Sequence, residues 1–316
     1  MLIFMLALTL ACAYTAQTAG TSIPQTVGTS VPQAVDTSAP QTVDTSPPPT
    51  GQSLEISLTS GGITRDAWLH IPPGYSSAAA VPLILNFHGD GSTGKEQETL
   101  SGMSILADRE HFLVAYPNGL NQKWDAASGS ASAPDRQFIR DLVGKLQANY
   151  KVDPKRIFAT GMSNGGGMTN RAGCDLADIF AAIAPVEGGY VEWQDCVPSR
   201  PIPVMAFHGI TDPVVPYKGG LGTGPAKGIK FPSIPVWAAA WANRDSCYTK
   251  PQVTHPNADV TRLEWVQCAG GASVILYAID HQGHSWPGSR LRPAITSQAI
   301  DASAEMWAFF QSHPLP

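Results

Sequence analysis

The chain has 316 residues, 43% hydrophobic and 14% charged, enough for one large domain with a full core. Its formal net charge is −5 and its first basic residue is Arg65, so no basic tract exists to follow a phosphate backbone, which excludes nucleic-acid binding. The leading apolar run, Leu2–Ala11, is too short to span a bilayer, and no transmembrane segment is expected.

That run ends in Ala11-Cys12-Ala13, a small-residue cleavage pattern, and predicts a secretory signal peptide over residues 1–13, although a basic start is missing. Cys12 offers a second reading, lipid attachment, which Thr9 and Leu10 fit poorly. Residues 14–52 form a Thr/Ser/Pro-rich linker with a period of eight: Gly20–Val27, Gly28–Val35 and Asp36–Val43 each carry Thr-Ser-x-Pro-Gln. Proline blocks regular structure there, so the tract reads as an extended stalk, glycosylated or bare, without chemistry. Residues 53–316 read as one catalytic domain.

Leu54–Leu58 alternates, and Arg65–Ile71 answers it across Gly61-Gly62, which predicts a hairpin. Val81–Phe87 is a nearly unbroken apolar run, the mark of a central buried strand. It ends in His88-Gly89-Asp90, where glycine lets the backbone approach a substrate. The main-chain N–H of Asp90 is the expected donor to an oxyanion, with His88 a structural group beneath the loop. Lys95–Glu110 reads as one helix and Phe112–Tyr116 as a core strand. Trp124, in the loop beyond, either lines a substrate cleft or packs. Asp135–Tyr150 carries Phe138, Ile139, Leu142, Val143 and Leu146 at the spacing of a surface helix.

Arg156–Phe158 reads as a short buried strand and Met168–Ala172 as helix. Between them stands Gly161-Met-Ser163-Asn-Gly165, the G-x-S-x-G of a nucleophile elbow in its strand–turn–helix setting. The tight turn lifts the Ser163 hydroxyl off the sheet edge, and the flanking glycines remove collisions with neighbouring backbone. The N–H of Asn164 is the second expected oxyanion donor. Phe180–Pro185 and Pro203–His208 are further core strands. Strands alternating with helices imply an α/β fold, a mostly parallel central sheet with helices on both faces.

Asp212 lies on the loop after Pro203–His208, where an acid that orients a base histidine belongs; Asp245 and Asp259 compete on sequence alone. Ser233–Asn243 reads as a helix, Asp259–Val266 as an outer strand and Ala272–Ile279 as the last core strand. The glycine-flanked loop that follows carries His284, the expected general base, with His281 the alternative and Asp280 a rival acid. Trp286 beside it either walls the acyl or alcohol site or packs. Ile300–Phe310 closes the chain as a helix. The order Ser163, Asp212, His284 is that of α/β-hydrolases.

Beyond the leader stand Cys174, Cys196, Cys247 and Cys268, and an even count in an exported chain suggests two disulfides. Sequence proximity favours Cys174–Cys196 and Cys247–Cys268, with three pairings formally possible. No C-x-x-C and no Cys/His pair of zinc-finger type is present, so no metal and no cofactor is expected.

Several segments together resemble a known family: Pro82-Leu-Ile-Leu-Asn-Phe-His-Gly89, Tyr116-Pro-Asn-Gly119, Gly161-Met-Ser-Asn-Gly-Gly166, Ala184-Pro-Val186, His208-Gly-Ile-Thr-Asp-Pro-Val-Val-Pro-Tyr217, Cys268-Ala-Gly-Gly271 and Gly283-His-Ser-Trp-Pro-Gly288. From about Leu54 to its end the chain resembles the secreted esterases grouped with feruloyl esterases and polyhydroxybutyrate-depolymerase-like proteins. The resemblance implies an α/β-hydrolase fold, Ser163, Asp212 and His284 as triad, and disulfides Cys174–Cys196 and Cys247–Cys268. One stretch departs: Ala126–Asp135 stands where such proteins commonly carry a Gly/Asp-rich run that often faces substrate. The expected function is a cofactor-free serine carboxylesterase whose partner is an ester substrate, polymer-linked in the leading reading: feruloyl or acetyl esters of plant polysaccharide. Short polyesters of the hydroxybutyrate type are the second reading. A non-catalytic module binding carbohydrate or a surface is the reading of another class.

Overall fold

The computed structural model describes residues 50–126, 134–191 and 195–316. The expected leader, nearly all of the linker, and residues 127–133 of the departing stretch lie outside the described residues. The chain enters as a hairpin, β1 (Gln52–Ser60) and β2 (Ile63–Ile71), paired in register from Gln52↔Ile71 to Ser60↔Ile63. Gly61 and Gly62 turn it with φ of 55° and 80°, the left-handed values a two-residue hairpin loop needs.

The core strands follow: β3 (Val81–Phe87), β4 (Leu113–Pro117), β5 (Val152–Met162), β6 (Ala182–Val186) and β7 (Val204–Gly209). Beyond them come a short ribbon, β8 (Gly220–Leu221) with β9 (Lys230–Phe231), and then β10 (Gln252–Asn257), β11 (Val260–Trp265) and β12 (Val274–Ile279). The large sheet has ten strands in the order β1-β2-β4-β3-β5-β6-β7-β12-β11-β10. From β4 to β12 all neighbours are parallel; the hairpins at either side pair antiparallel. The chain runs from β3 to β4 on one side and then to β5 on the other, so the strand order reverses at β3. Parallel sheets place their binding crevice at the carboxyl ends of strands beside such a reversal.

Helices cover both faces. Along β3, Leu83, Leu85 and Phe87 face one core and Ile84 the other, as strand periodicity requires. The first core takes side chains from α3 (Pro134–Asn149), α4 (Asn164–Asp175) and α5 (Ile234–Arg244). The second takes them from α2 (Met103–Glu110) and α6 (Ala302–Gln311). The single helix expected over Lys95–Glu110 is two. A first helix, α1 (Gly94–Ser101), opens on a capping box of Thr93 and Glu96 and ends at Gly102, whose φ of 59° closes it with an N–H donated to the Glu98 carbonyl.

Both disulfides form between sequence neighbours, Cys174–Cys196 and Cys247–Cys268. Loops of this length stabilise a fold by about 3 kcal/mol each in the chain-entropy account. Among the described residues no helix is long and apolar enough to cross a membrane.

Candidate active site

Ser163 stands alone between β5 and α4 with φ 59° and ψ −118°, a backbone state costly to any residue with a Cβ. The neighbourhood holds it there. Its N–H donates to the Val186 carbonyl at 3.0 Å, and its carbonyl accepts from the N–H groups of Gly167 at 2.9 Å and Gly189 at 3.0 Å. The flanking glycines are a packing requirement: a Cβ at Gly161 would lie 2.6 Å from the Phe87 carbonyl oxygen, and one at Gly165 closer still to that same atom.

The loop after β3 leans over Ser163, with Gly89 so near that a Cβ there would meet the Ser163 Cβ at 3.4 Å. Beneath it His88 is fully buried; its Nδ1–H donates to the Gly89 carbonyl at 2.7 Å and its Nε2 accepts the Gly119 N–H at 2.9 Å. Burial lowers the pKa of that ring, keeping it neutral and structural. The Trp124 indole N–H donates to the His88 carbonyl at 3.0 Å, and the Trp124 main chain exchanges hydrogen bonds with the Asn164 amide at 2.7 and 3.1 Å. Asn164 is thereby fixed. Its own N–H opens α4 and has no acceptor within the helix. Asp90 and Asn164 both border the cavity in front of Ser163.

Asp212 follows β7, and its Oδ1 accepts the N–H groups of Val214 at 2.7 Å and Val215 at 3.1 Å. Its Oδ2 lies 2.7 Å from Nδ1 of His284, on the loop after β12. Burial alone would raise the Asp212 pKa; the hydrogen bond and charge of His284 outweigh it, so the carboxylate is held below its ordinary value. β5, β7 and β12 end at one edge of the sheet, so residues far apart in sequence share that edge. Among the described residues the Ser163 hydroxyl has no hydrogen-bond partner, and the link to the imidazole is not made in this structure.

The competing acids lie elsewhere. Asp245 caps α5 and accepts the Ile202 N–H at 3.1 Å, at the amino end of β7 and the opposite edge of the sheet. Asp259 sits in the β10–β11 turn. His281 and Asp280 share the His284 loop, but among the described residues the hydrogen bonds and ion pairs of the Asp212 carboxylate go to Val214, Val215, His208 and His284.

The family profile described as "Esterase PHB depolymerase" matches residues 66–218. Feruloyl esterase B of Piromyces equi is 34% identical over 230 residues, 70% of this chain and 42% of that protein, so the chain spans less than half its length. NocK of Nocardia uniformis subsp. tsuyamanensis, described as an esterase, is 30% identical over 257 residues, 74% of each chain. The chain belongs to the feruloyl esterase and PHB-depolymerase-like family. It is a member of a family of carboxylic ester hydrolases, and its fold agrees: an acetyl xylan esterase from Aspergillus awamori superposes with a TM-score of 0.61 at 16% identity, over 82% of this chain and all of that one.

In this family member two cavities flank the sheet edge. The larger, about 700 Å³, has Ser163 in its wall together with Trp124, Val191, Val215, Ala226 and Phe231. The smaller, about 450 Å³, has His284 in its wall with Thr211, His281 and Arg292. Pro225 borders both. Trp286, expected to wall a site or to pack, borders neither. It is 1% exposed, its indole N–H donates to the Ser303 hydroxyl at 3.0 Å, and it packs in the core beside α6. The loop turns back onto the start of α6, with the Ala302 N–H on the Pro287 carbonyl, and this carries the ring inward.

Sequence reasoning missed Glu187 and His208. Glu187 follows β6 with φ 46° and is fully buried; both its carboxyl oxygens lie 3.0 Å from the Gly209 N–H. Glu187, Asp212 and His208 have ligand-type atoms within 4.8 Å of one another, a grouping that could be read as a metal site. The donor set does not fit a cation. The His208 nitrogen facing both carboxyls, Nε2, donates its hydrogen to the Val215 carbonyl at 2.9 Å and so has no lone pair to offer. The signal in the sequence was slight: one acid directly after the apolar strand Ala182–Val186.

Proposed function

We propose that this protein is a secreted serine esterase that cleaves arylpropenoyl esters, of the feruloyl class, from plant polysaccharide through an acyl-enzyme on Ser163. The observation that carries the reading is the 2.7 Å bond between Asp212 and His284 at the sheet edge that also presents Ser163 in a strained turn. In that reading His284 takes the Ser163 proton on Nε2 as the hydroxyl attacks the ester carbonyl. Asp212 holds the opposite nitrogen and stabilises the imidazolium. The main-chain N–H groups of Asp90 and Asn164 receive the oxyanion, His284 returns the proton to the leaving alcohol, and water repeats the sequence to release the acid.

The larger cavity supports an aromatic acyl group over acetyl. About 700 Å³ walled by Trp124, Val191, Val215 and Phe231 suits a flat ring, and a two-carbon acyl would leave it largely unfilled. Relatives named feruloyl esterase, including feruloyl esterase C of Emericella nidulans at 28% identity over 84% of that protein, point the same way. The two disulfides favour an oxidising compartment and accord with export by a leader over residues 1–13 and a stalk over 14–52.

The test is hydrolysis of methyl ferulate, 4-nitrophenyl acetate and hydroxybutyrate oligomers, alongside a serine-directed phosphonate mapped by mass spectrometry. Labelling at Ser163 with the highest kcat/KM on methyl ferulate is expected. Preference for the oligomers would transfer the reading to a polyesterase. No label at Ser163 and no turnover would leave a binding module.

A further inference from the structure

The mechanism just given leaves a buried acid without a role. Glu187 is fully buried, sits in left-handed backbone at φ 46°, and has a carboxyl oxygen within 4.8 Å of the carboxylate that holds the proposed base. Its own N–H donates to the Phe207 carbonyl at 2.9 Å, and the preceding Val186 carbonyl accepts the Ser163 N–H, so one short segment braces Ser163 on one side and Asp212 on the other. A strained, buried, ionisable residue in such a place points to a role beyond filling space.

Two carboxyls this close in a dry site do not both carry charge, and the hydrogen bonds say which one does. Asp212 accepts two backbone N–H groups and the His284 N–H, three donors that favour its anion. Glu187 has the Gly209 N–H, with the Gln282 side chain nearby, against the full charge of Asp212. Burial first, and then Asp212, push its pKa well above the ordinary carboxyl range. His208 supplies no compensating cation: its Nδ1 is buried without a partner, and burial brings its pKa down to about 4. Tyr190 also faces Glu187, and its own burial keeps its hydroxyl neutral.

We propose that Glu187 is a neutral carboxylic acid whose O–H donates to the Asp212 carboxylate, making it a positioning residue for the Asp212–His284 pair. This deepens the esterase reading and rests on it. The donated proton locks the plane of the Asp212 carboxylate so that Oδ2 faces His284. It also draws charge from that carboxylate, so that activity on the acid side extends to a lower pH than a bare aspartate partner would allow.

The experiment is the pH profile of kcat/KM on a 4-nitrophenyl ester for the full chain and for Glu187→Gln and Glu187→Leu. Gln keeps a neutral donor, so its acid limb should stay within about 0.3 pH of wild type and its kcat/KM within about fivefold. Leu removes the donor, so its acid limb should rise by about 0.5–1 pH and its kcat fall about tenfold or more with KM little changed. An acid limb that drops by about 1 pH in Glu187→Gln would mean an anion had been removed from beside the imidazole, and would overturn the proposal. So would identical profiles for Gln and Leu. Should Glu187→Leu fail to fold, infrared difference spectra of wild type against Glu187→Gln decide the matter. The band of a protonated carboxyl must be lost in the variant, and loss of a carboxylate band instead refutes the idea. The infrared result does not require turnover, so it stands even if Ser163→Ala remains active and the esterase reading fails.

Discussion

The cavity lined by Ser163 and the cavity lined by His284 differ in chemistry as well as size. The larger, which Ser163 lines, is walled mainly by aromatic and aliphatic side chains, with Asp90, Asp125 and Asp135 also in its lining. The smaller, on the His284 side, has Arg292 and His281 in its wall and, among the described residues, no carboxylate. An ester has two halves, and the base must hand its proton to the departing alcohol. In the proposed mechanism the alcohol therefore belongs on the His284 side, which leaves the apolar cavity for the acyl group. On that reading the acyl site selects by shape and the alcohol site favours polar and anionic groups.

Predictions that test this division run from the shared chemistry outward. Ser163→Ala should lower kcat on every ester about a millionfold, whichever half is varied, since both cavities serve one attack; steady-state assays against an active-site titrant would read it. Asp212→Asn should cost about ten-thousandfold in kcat by presenting the wrong His284 tautomer, with KM nearly unchanged. Ile229→Trp, a change at the partly exposed mouth of the larger cavity, should cut kcat/KM on methyl ferulate about a hundredfold and spare 4-nitrophenyl acetate. Equal losses on both esters would erase the acyl assignment. Arg292→Gln should cost about threefold, only for esters whose alcohol half carries a carboxylate, and the effect should fade in salt.

The smallest effect is a control at the far edge of the sheet. Burial raises the Asp245 pKa to about 7 against the pull of the Ile202 N–H and the Arg200 and Arg244 charges. Its folded value stands above the unfolded one of about 3.9, so its contribution to stability is complete below that pH and is lost as pH rises through about 7. Between about pH 5 and pH 8.5 the melting temperature of wild type should therefore drop a few degrees further than that of Asp245→Asn, with substrate preference untouched in both.

How legible the molecule was depended on the range of the cause. Val81–Phe87 was readable as a central strand because it is buried on both faces and apolar throughout. β10 escaped because all six of its residues are exposed and one is proline, an edge strand without a hydrophobic signature. The break at Gly102 was hidden because glycine is tolerated inside helices as well as at their ends. Trp124 and Trp286 looked alike in sequence, each a tryptophan beside a motif. One borders the larger cavity and the other is carried into the core by a loop that folds onto α6.

By itself the sequence determined the α/β alternation, the strained turn at Ser163 and the strand-end positions of Asp212 and His284. Each is written in residues adjacent along the chain, where apolar runs, glycines and turn geometry act locally. Only the tertiary structure decided the order of strands, the division into two cavities, the choice between pairings of four cysteines, and the meeting of Glu187 with Asp212. Those depend on β6 lying beside β7 and β7 beside β12. The neighbours of a strand are set by packing of the whole sheet, which no local pattern of residues encodes.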